Sequence, residues 1–204
     1  MDLDHVILGV ADLARGIREF EAMTGVAPRF GGRHPRRDTQ NALASLGPGR
    51  YIEILAPADP NAGSRDPRVN YQDLTFAGWA LQTRGIDAVI VRLRAAGVDI
   101  GDSSPGSRET PEGTLLQWTT AAPGGRGLEL APFLIEWSLD TMHPSASSPE
   151  GCRLGAINLE HPDPGRLQAL FTAAGFNAAL RQGASPRMTL TLDCPRGRVT
   201  FAGP

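Results

Sequence analysis

The chain has 204 residues, 41% of them hydrophobic and 21% charged, with a net charge of −2. That length suffices for one domain, or a tight pair, with a real core, and the weakly acidic balance excludes a basic field for nucleic acid or a polybasic membrane patch. All 20 basic residues are arginine, which excludes a Schiff-base lysine and a phosphate-loop lysine.

Residues 3–10 are apolar and β-branched and read as a buried strand. Asp12 stands at an N-cap position, and Leu13, Ile17, Phe20 and Met23 recur at helical steps, so 12–24 reads as an amphipathic helix closed by Gly25. Strands are expected at 27–31, 41–46 and 51–55, with Gly47-Pro48-Gly49 as the turn before the last. A second unit follows: a strand at 78–83, a helix carried by Ile86, Val89, Ile90 and Leu93 and ended by Gly97, and later strands at 115–120 and 127–130. The Ser-, Pro- and Gly-rich stretch 102–113 reads as an inserted loop. A third, shorter unit has a strand at 154–159, a helix at 163–174, and strands at 177–181, 188–193 and 198–201. The sequence therefore divides into 1–140 (units about 3–57 and 76–137), a linker at 141–151 and a third unit at 152–204.

The units echo one another. Ala22-Met23-Thr24-Gly25-Val26, Ala95-Ala96-Gly97-Val98 and Ala173-Ala174-Gly175-Phe176 each close a helix and open a strand. Tyr51-Ile52-Glu53-Ile54-Leu55-Ala56-Pro57 and Leu128-Glu129-Leu130-Ala131-Pro132 each close a unit. Such self-similarity marks one supersecondary unit used repeatedly. The acidic start lacks an apolar h-region, no apolar run approaches membrane length, and Cys152 and Cys194 carry no metal-type spacing. These features predict a cytoplasmic chain with free thiols.

A tandem β-α-β-β-β unit, opening on Leu3-Asp4-His5-Val6 and closing on Ile52-Glu53-Ile54-Leu55, resembles the vicinal oxygen chelate superfamily. Gly31-Gly32-Arg33-His34-Pro35, Thr39-Gln40-Asn41-Ala42-Leu43 and Pro132-Phe133-Leu134-Ile135-Glu136-Trp137 resemble its glyoxalase-like branch. The resemblance implies an α+β fold in which units one and two pair into a half-open curled sheet, with the third as a degenerate copy. It also implies one divalent metal, Zn²⁺, Mn²⁺ or Fe²⁺, held by first-strand and last-strand side chains. Carried onto this chain, the ligands are His5, Glu53 and Glu129. The fourth position falls at Ala77 or Gly78, which carries no ligand.

Strand alternation puts Tyr51, Glu53 and Leu55 on one face and Ile52 and Ile54 on the other. Glu53 and His34 are the candidate catalytic groups, the second because imidazole titrates near neutrality. Arg33, Thr39, Asn41, Trp79 and Trp118 are candidate substrate contacts, and Arg29, Arg36, Arg37 and Arg50 extend the arginine cluster around Arg33. Each has a plainer reading as a backbone-bonded, core or solvated residue. His143 and His161 read as linker and strand-end residues.

No G-x-G-x-x-G after a strand, G-x-S-x-G elbow or phosphate loop is present, so no nucleotide cofactor is expected. Two functions stay open. One is metal-dependent isomerase or lyase chemistry on a small oxygenated metabolite, with dioxygenase chemistry less suited because the two-histidine set is incomplete. The other is a binding or resistance-type module without metal. The third unit either covers a sheet edge or pairs across a homodimer.

Overall fold

The computed structural model describes residues 1–34, 37–61 and 64–204. Unit one comprises β1 (Asp2–Gly9), α1 (Leu13–Thr24), β2 (Arg29–His34), β3 (Thr39–Ser45) and β4 (Tyr51–Pro57). Unit two comprises β5 (Thr75–Gln82), α2 (Ile86–Ala95), β6 (Ser104–Glu109), β7 (Leu115–Ala121) and β8 (Phe133–Trp137). Their strands form one eight-stranded sheet in the order β2-β3-β4-β1-β5-β8-β7-β6. Each half has the same internal arrangement, and the halves meet where β1 runs antiparallel to β5. The fold is α+β, with paired βαβββ units curling into a nearly closed cup, as the resemblance implied.

Local chemistry sets the elements. Asp12 caps α1 by accepting from the Arg15 backbone N–H at 2.9 Å, and Gly25 ends the helix at φ 80°. At α2 the cap comes from β8: the Glu136 carboxylate accepts from the backbone N–H groups of Gly85 and Ile86. Val6, Leu8, Ile52 and Ile54 face outward into the core beneath the helices, whereas Ile7, Leu55 and Val69 form a small apolar cluster inside the cup. The alternation read from the sequence thus holds for β4.

Two expectations for unit two are corrected. The stretch 102–113 contains β6, a full partner of β7 from Ser104↔Thr120 to Glu109↔Leu115. The expected strand at 127–130 is instead a turn. Gly127 adopts φ 85°, and turn hydrogen bonds run from Leu128 to Gly125 and from Ala131 to Leu128. The unit's last strand is β8, which begins three residues after Leu130.

The third unit comprises β9 (Arg153–His161), α3 (Gly165–Ala174), β10 (Ala179–Gln182), β11 (Arg187–Cys194) and β12 (Gly197–Gly203). It keeps the order β-α-β-β-β but lays its strands as β10-β9-β11-β12. It packs against the outer side of the first two units within the same chain. Phe20 of α1 stacks on Phe201, and Trp79 of β5 sits against Phe171 and Phe176. One continuous core runs through all three units.

The two cysteines are not free. Cys152 and Cys194 form a disulfide, because β9 and β11 are antiparallel neighbours with Arg153 opposite Asp193. The free-thiol support for a reducing compartment therefore falls away. Among the described residues no helix is long and apolar enough to cross a membrane.

The cup closes where its edge strands β2 and β6 meet. Gly32, at φ 140°, lies so close to the Glu109 carbonyl that a Cβ would stand 2.3 Å from it. Beside it, Arg108 donates to the Gly31 carbonyl. Gly32→Ala is expected to cost about 2–3 kcal/mol in urea unfolding, against about 1 kcal/mol for Gly47→Ala. Gly47 also has positive φ, at 105°, but a Cβ there meets nothing within 4 Å. Equal losses would show that the seam contact contributes nothing.

Candidate functional site

A β-bulge starts the site. Leu3 pairs with Leu81 but His5 pairs with Ala80, so Asp4 is the extra residue in β1. A bulge re-aims side chains, and here Asp4 and His5 both reach groups on the inner side of the sheet. Asp4 is fully buried. One of its oxygens lies 2.6 Å from His5 Nδ1; the other lies 2.9 Å from Trp137 Nε1 and 3.1 Å from His143 Nε2. Burial opposes its charge, but the bonds from His143 and His5 outweigh burial and hold its pKa at about 2. An ionised Asp4 only accepts, so the proton of His5 sits on Nδ1. His143 Nδ1 accepts from the Ser145 backbone N–H at 3.2 Å, leaving Nε2–H to donate to Asp4. The expectation of a solvated His143 is corrected: the stretch read as a linker supplies a buttress of the site.

His5 stacks on Tyr51 with ring centroids 4.6 Å apart and meets Phe133 edge-on. Its Nε2 faces Glu53 Oε2 at 3.7 Å. From the other side His34 Nε2 lies 3.8 Å from Glu53 Oε1. Asn41 sits between them, donating from Nδ2 to Glu53 Oε1 at 2.7 Å and standing 3.4 Å from His34 Nε2. His34 Nδ1 is 2.9 Å from Thr39 Oγ1. Burial lowers the His34 pKa; Glu53 opposes this, and Arg108, Arg37 and Arg68 add to it. His34 is therefore neutral at neutral pH. Burial would raise Glu53, but His5, His34, the Asn41 hydrogen bond and Arg68 bring it below the usual carboxylate range, so it is ionised. Burial keeps the Tyr51 phenol protonated.

These groups surround a cavity of about 50 Å³, whose walls include His5, His34, Thr39, Asn41, Glu53 and Trp118. Six of the residues singled out in the sequence thus come together. Trp118 lies edge-on to His34, over Gly106 of β6, where a Cβ would collide with the indole.

Three other candidates lie elsewhere. Glu129 is half-exposed in the 127–130 turn and bonds to His161 Nε2 at 3.1 Å. Trp79 is buried against the third unit, its indole N–H donating to the Leu130 carbonyl at 3.0 Å. Arg33 is exposed on β2 and does not line the cavity. Of the wider arginine cluster, Arg37 lines the cavity, and Arg36, with its neighbour Pro35, lies outside the described residues.

Sequence reasoning missed Tyr51, Arg68 and Arg108. Tyr51 was detectable, since it shares the strand face of Glu53. Arg68 follows β4 and is held by a two-pronged pair with Asp66. Arg108 was hidden in the stretch read as a loop. It is 4% exposed and forms no ion pair among the described residues. A buried, unpaired guanidinium on a cavity wall is a strong anion receptor.

The residues do not fit the metal that the resemblance implied. The imidazoles of His5 and His34 face opposite oxygens of Glu53, and one of those oxygens already accepts from Asn41. Among the described residues no three His, Cys, Asp or Glu side chains converge as a metal requires. Among the described residues unit two adds no His, Cys, Asp or Glu to the wall, where β8 presents Phe133, Ile135 and Trp137.

A family model for the glyoxalase-like domain matches residues 3–175. The chain belongs to the glyoxalase-like domain family. The match extends through the 141–151 stretch into the third unit. Among solved structures, a hypothetical protein from Staphylococcus aureus is 16% identical, with a TM-score of 0.67 over 98% of this chain and 84% of that one. Methylmalonyl-CoA epimerase from Mycobacterium tuberculosis is 23% identical, with a TM-score of 0.47 over 67% of this chain and 88% of that one. A 4-hydroxymandelate synthase mutant from Streptomyces coelicolor is 13% identical, with a TM-score of 0.49 over 100% of this chain and 62% of that one. The first of these likenesses shows the fold alone. No curated protein shows a significant match.

The depressed pKa of Asp4 has a measurable consequence. Its folded-state value of about 2 lies below the ordinary 3.8, so its stabilisation is complete above about pH 4 and lost as pH falls through about 2. The urea stability gap between the natural protein and Asp4→Asn should shrink by about 2–3 kcal/mol between those limits. A gap independent of pH would show that Asp4 is not held ionised.

Proposed function

We propose that the cup binds a small oxygenated anion and moves a proton on the carbon next to its carbonyl group. The observation that carries this is the pairing, in one cavity, of a buried guanidinium free of carboxylate partners, Arg108, with one ionised carboxylate, Glu53. A bound carboxylate or carbonyl oxygen satisfies Arg108. Glu53 then accepts the proton from the neighbouring carbon, the electron pair moves to the carbonyl oxygen, and the Arg108 charge and the Tyr51 hydroxyl hold that oxygen. Return of the proton to the same carbon skeleton gives isomerase-type chemistry; loss of a leaving group from it gives lyase-type chemistry. Asn41 orients Glu53. His5, fixed by Asp4, stands beside the same carboxylate and blocks its rotation. No step in this scheme passes through a metal.

Hydrogen–deuterium exchange of small α-hydroxycarbonyl acids, followed by NMR in the presence of a chelator, tests the reading. Exchange at the carbon beside the carbonyl is expected with the natural protein and is expected to disappear in Glu53→Gln, with ligand binding retained. Arg108→Gln should weaken binding about ten- to a hundredfold, the worth of a charge-assisted hydrogen bond. Binding without exchange would make the cup a binding module, the second function open from the sequence. Exchange that requires added metal would overturn the metal-free proton transfer.

A further inference from the structure

The position at which the resemblance places the missing ligand does something else in this chain. A second bulge in the β1–β5 pairing, between Ile7/Gly78 and Leu8/Phe76, leaves Ala77 as the extra residue. Gly78 stands opposite Ile7, which faces the interior of the cup. A Cβ built on Gly78 meets only Arg68 Cδ and Ile7 Cδ1, both at 3.8 Å. No positive φ demands glycine there. The absent side chain therefore leaves room rather than relieving strain.

That room belongs to a second cleft of about 430 Å³, bounded by Ala77, Gly78, Trp79, Leu130, Ala131 and Met188, with the Glu129 carboxylate also on its wall. It shares Arg37, Arg68, Thr120 and Phe133 with the small cavity around Glu53. Most of its wall is apolar, and Met188 comes from β11, so the third unit closes one side. The two spaces differ in kind. The inner one is polar and holds little more than a carboxylate or a few waters. The outer one has the size and apolar character of a small-molecule pocket.

We infer that the substrate is an elongated acid: its oxygenated head enters the inner cavity at Arg108 and its apolar tail leaves past Gly78 into the cleft closed by the third unit. This rests on the anionic-head reading above and extends it to a substrate class. The loss of a ligand position in unit two is thereby the opening through which the tail passes, and the third unit is a specificity element.

Calorimetric titration with acetate, hexanoate and decanoate tests the inference on the intact chain. Affinity should rise with chain length, by up to about fourfold per fully buried methylene, until the cleft is full. Gly78→Leu should abolish that dependence, so that decanoate binds no tighter than acetate. Ala122→Trp, an exposed substitution on the cleft rim, should do the same and guards against a folding defect in Gly78→Leu. Binding of acetate with no gain on lengthening would overturn the tail cleft and leave the anionic head standing. A chain-length dependence that survives in both variants would overturn it as well. Failure of all three acids to bind would overturn the anionic head itself, and the tail with it.

Discussion

A single buried carboxylate organises this molecule's interior. Asp4 lies at a bulge in the first strand with no exposure to solvent, and accepts from His5 of β1, Trp137 of β8 and His143 of the segment that leads to the third unit. A buried carboxylate is costly unless its oxygens are bonded; here both are, by donors from three parts of the chain. The requirement to satisfy Asp4 fixes a proton on His5 Nδ1, holds His5 where it stacks on Tyr51, and brings His143 of the 141–151 stretch against Tyr51 and Trp137. The placement of His5 beside Glu53 follows from that arrangement, whereas His34 is held by Thr39 and Glu53 by Asn41.

The two paired units share a backbone plan and divide the chemistry unequally. Unit one contributes His5, His34, Asn41, Tyr51 and Glu53. Unit two contributes Phe133, Ile135 and Trp137 from its last strand, and its one glutamate there, Glu136, turns outward to cap α2. Arg108 crosses the seam between the units as both a structural tie to Gly31 and the free charge of the cavity. The pseudo-symmetric sheet is thus a frame on which one half carries the histidines and the carboxylate of the cavity and the other carries Arg108 and apolar surface. The third unit, with a different strand order, seals the outer side of β5.

Much of this was legible in the sequence. Period-two alternation placed Glu53 inside the cup, and the helix caps at Asp12 and Gly25 marked α1. His34, Thr39 and Asn41, singled out one by one in the sequence, all line the cavity. What failed has physical causes. Leu128-Glu129-Leu130 imitates the end of unit one, yet Gly127 in the left-handed region breaks the strand, and the real last strand begins at Phe133. Ser104-Pro105-Gly106-Ser107 has turn-like composition, yet pairing with β7 makes it a strand and brings Arg108 inside; Gly106 is there to accommodate the Trp118 ring. The Asp4 bulge leaves no mark in the local pattern, because a bulge is decided by the partner strand. The disulfide follows from the neighbouring positions of β9 and β11, which spacing along the chain does not reveal.

The dependence of the site on Asp4 is most directly read from the His5 ring. Long-range ¹H–¹⁵N NMR correlation at neutral pH reports which ring nitrogen carries the proton. An ionised Asp4 at 2.6 Å predicts a proton on Nδ1 in the natural protein, and loss of that fixed position in Asp4→Asn. A His5 ring with no proton on Nδ1, or one unchanged by removal of the carboxylate, would contradict Asp4 as the organising group.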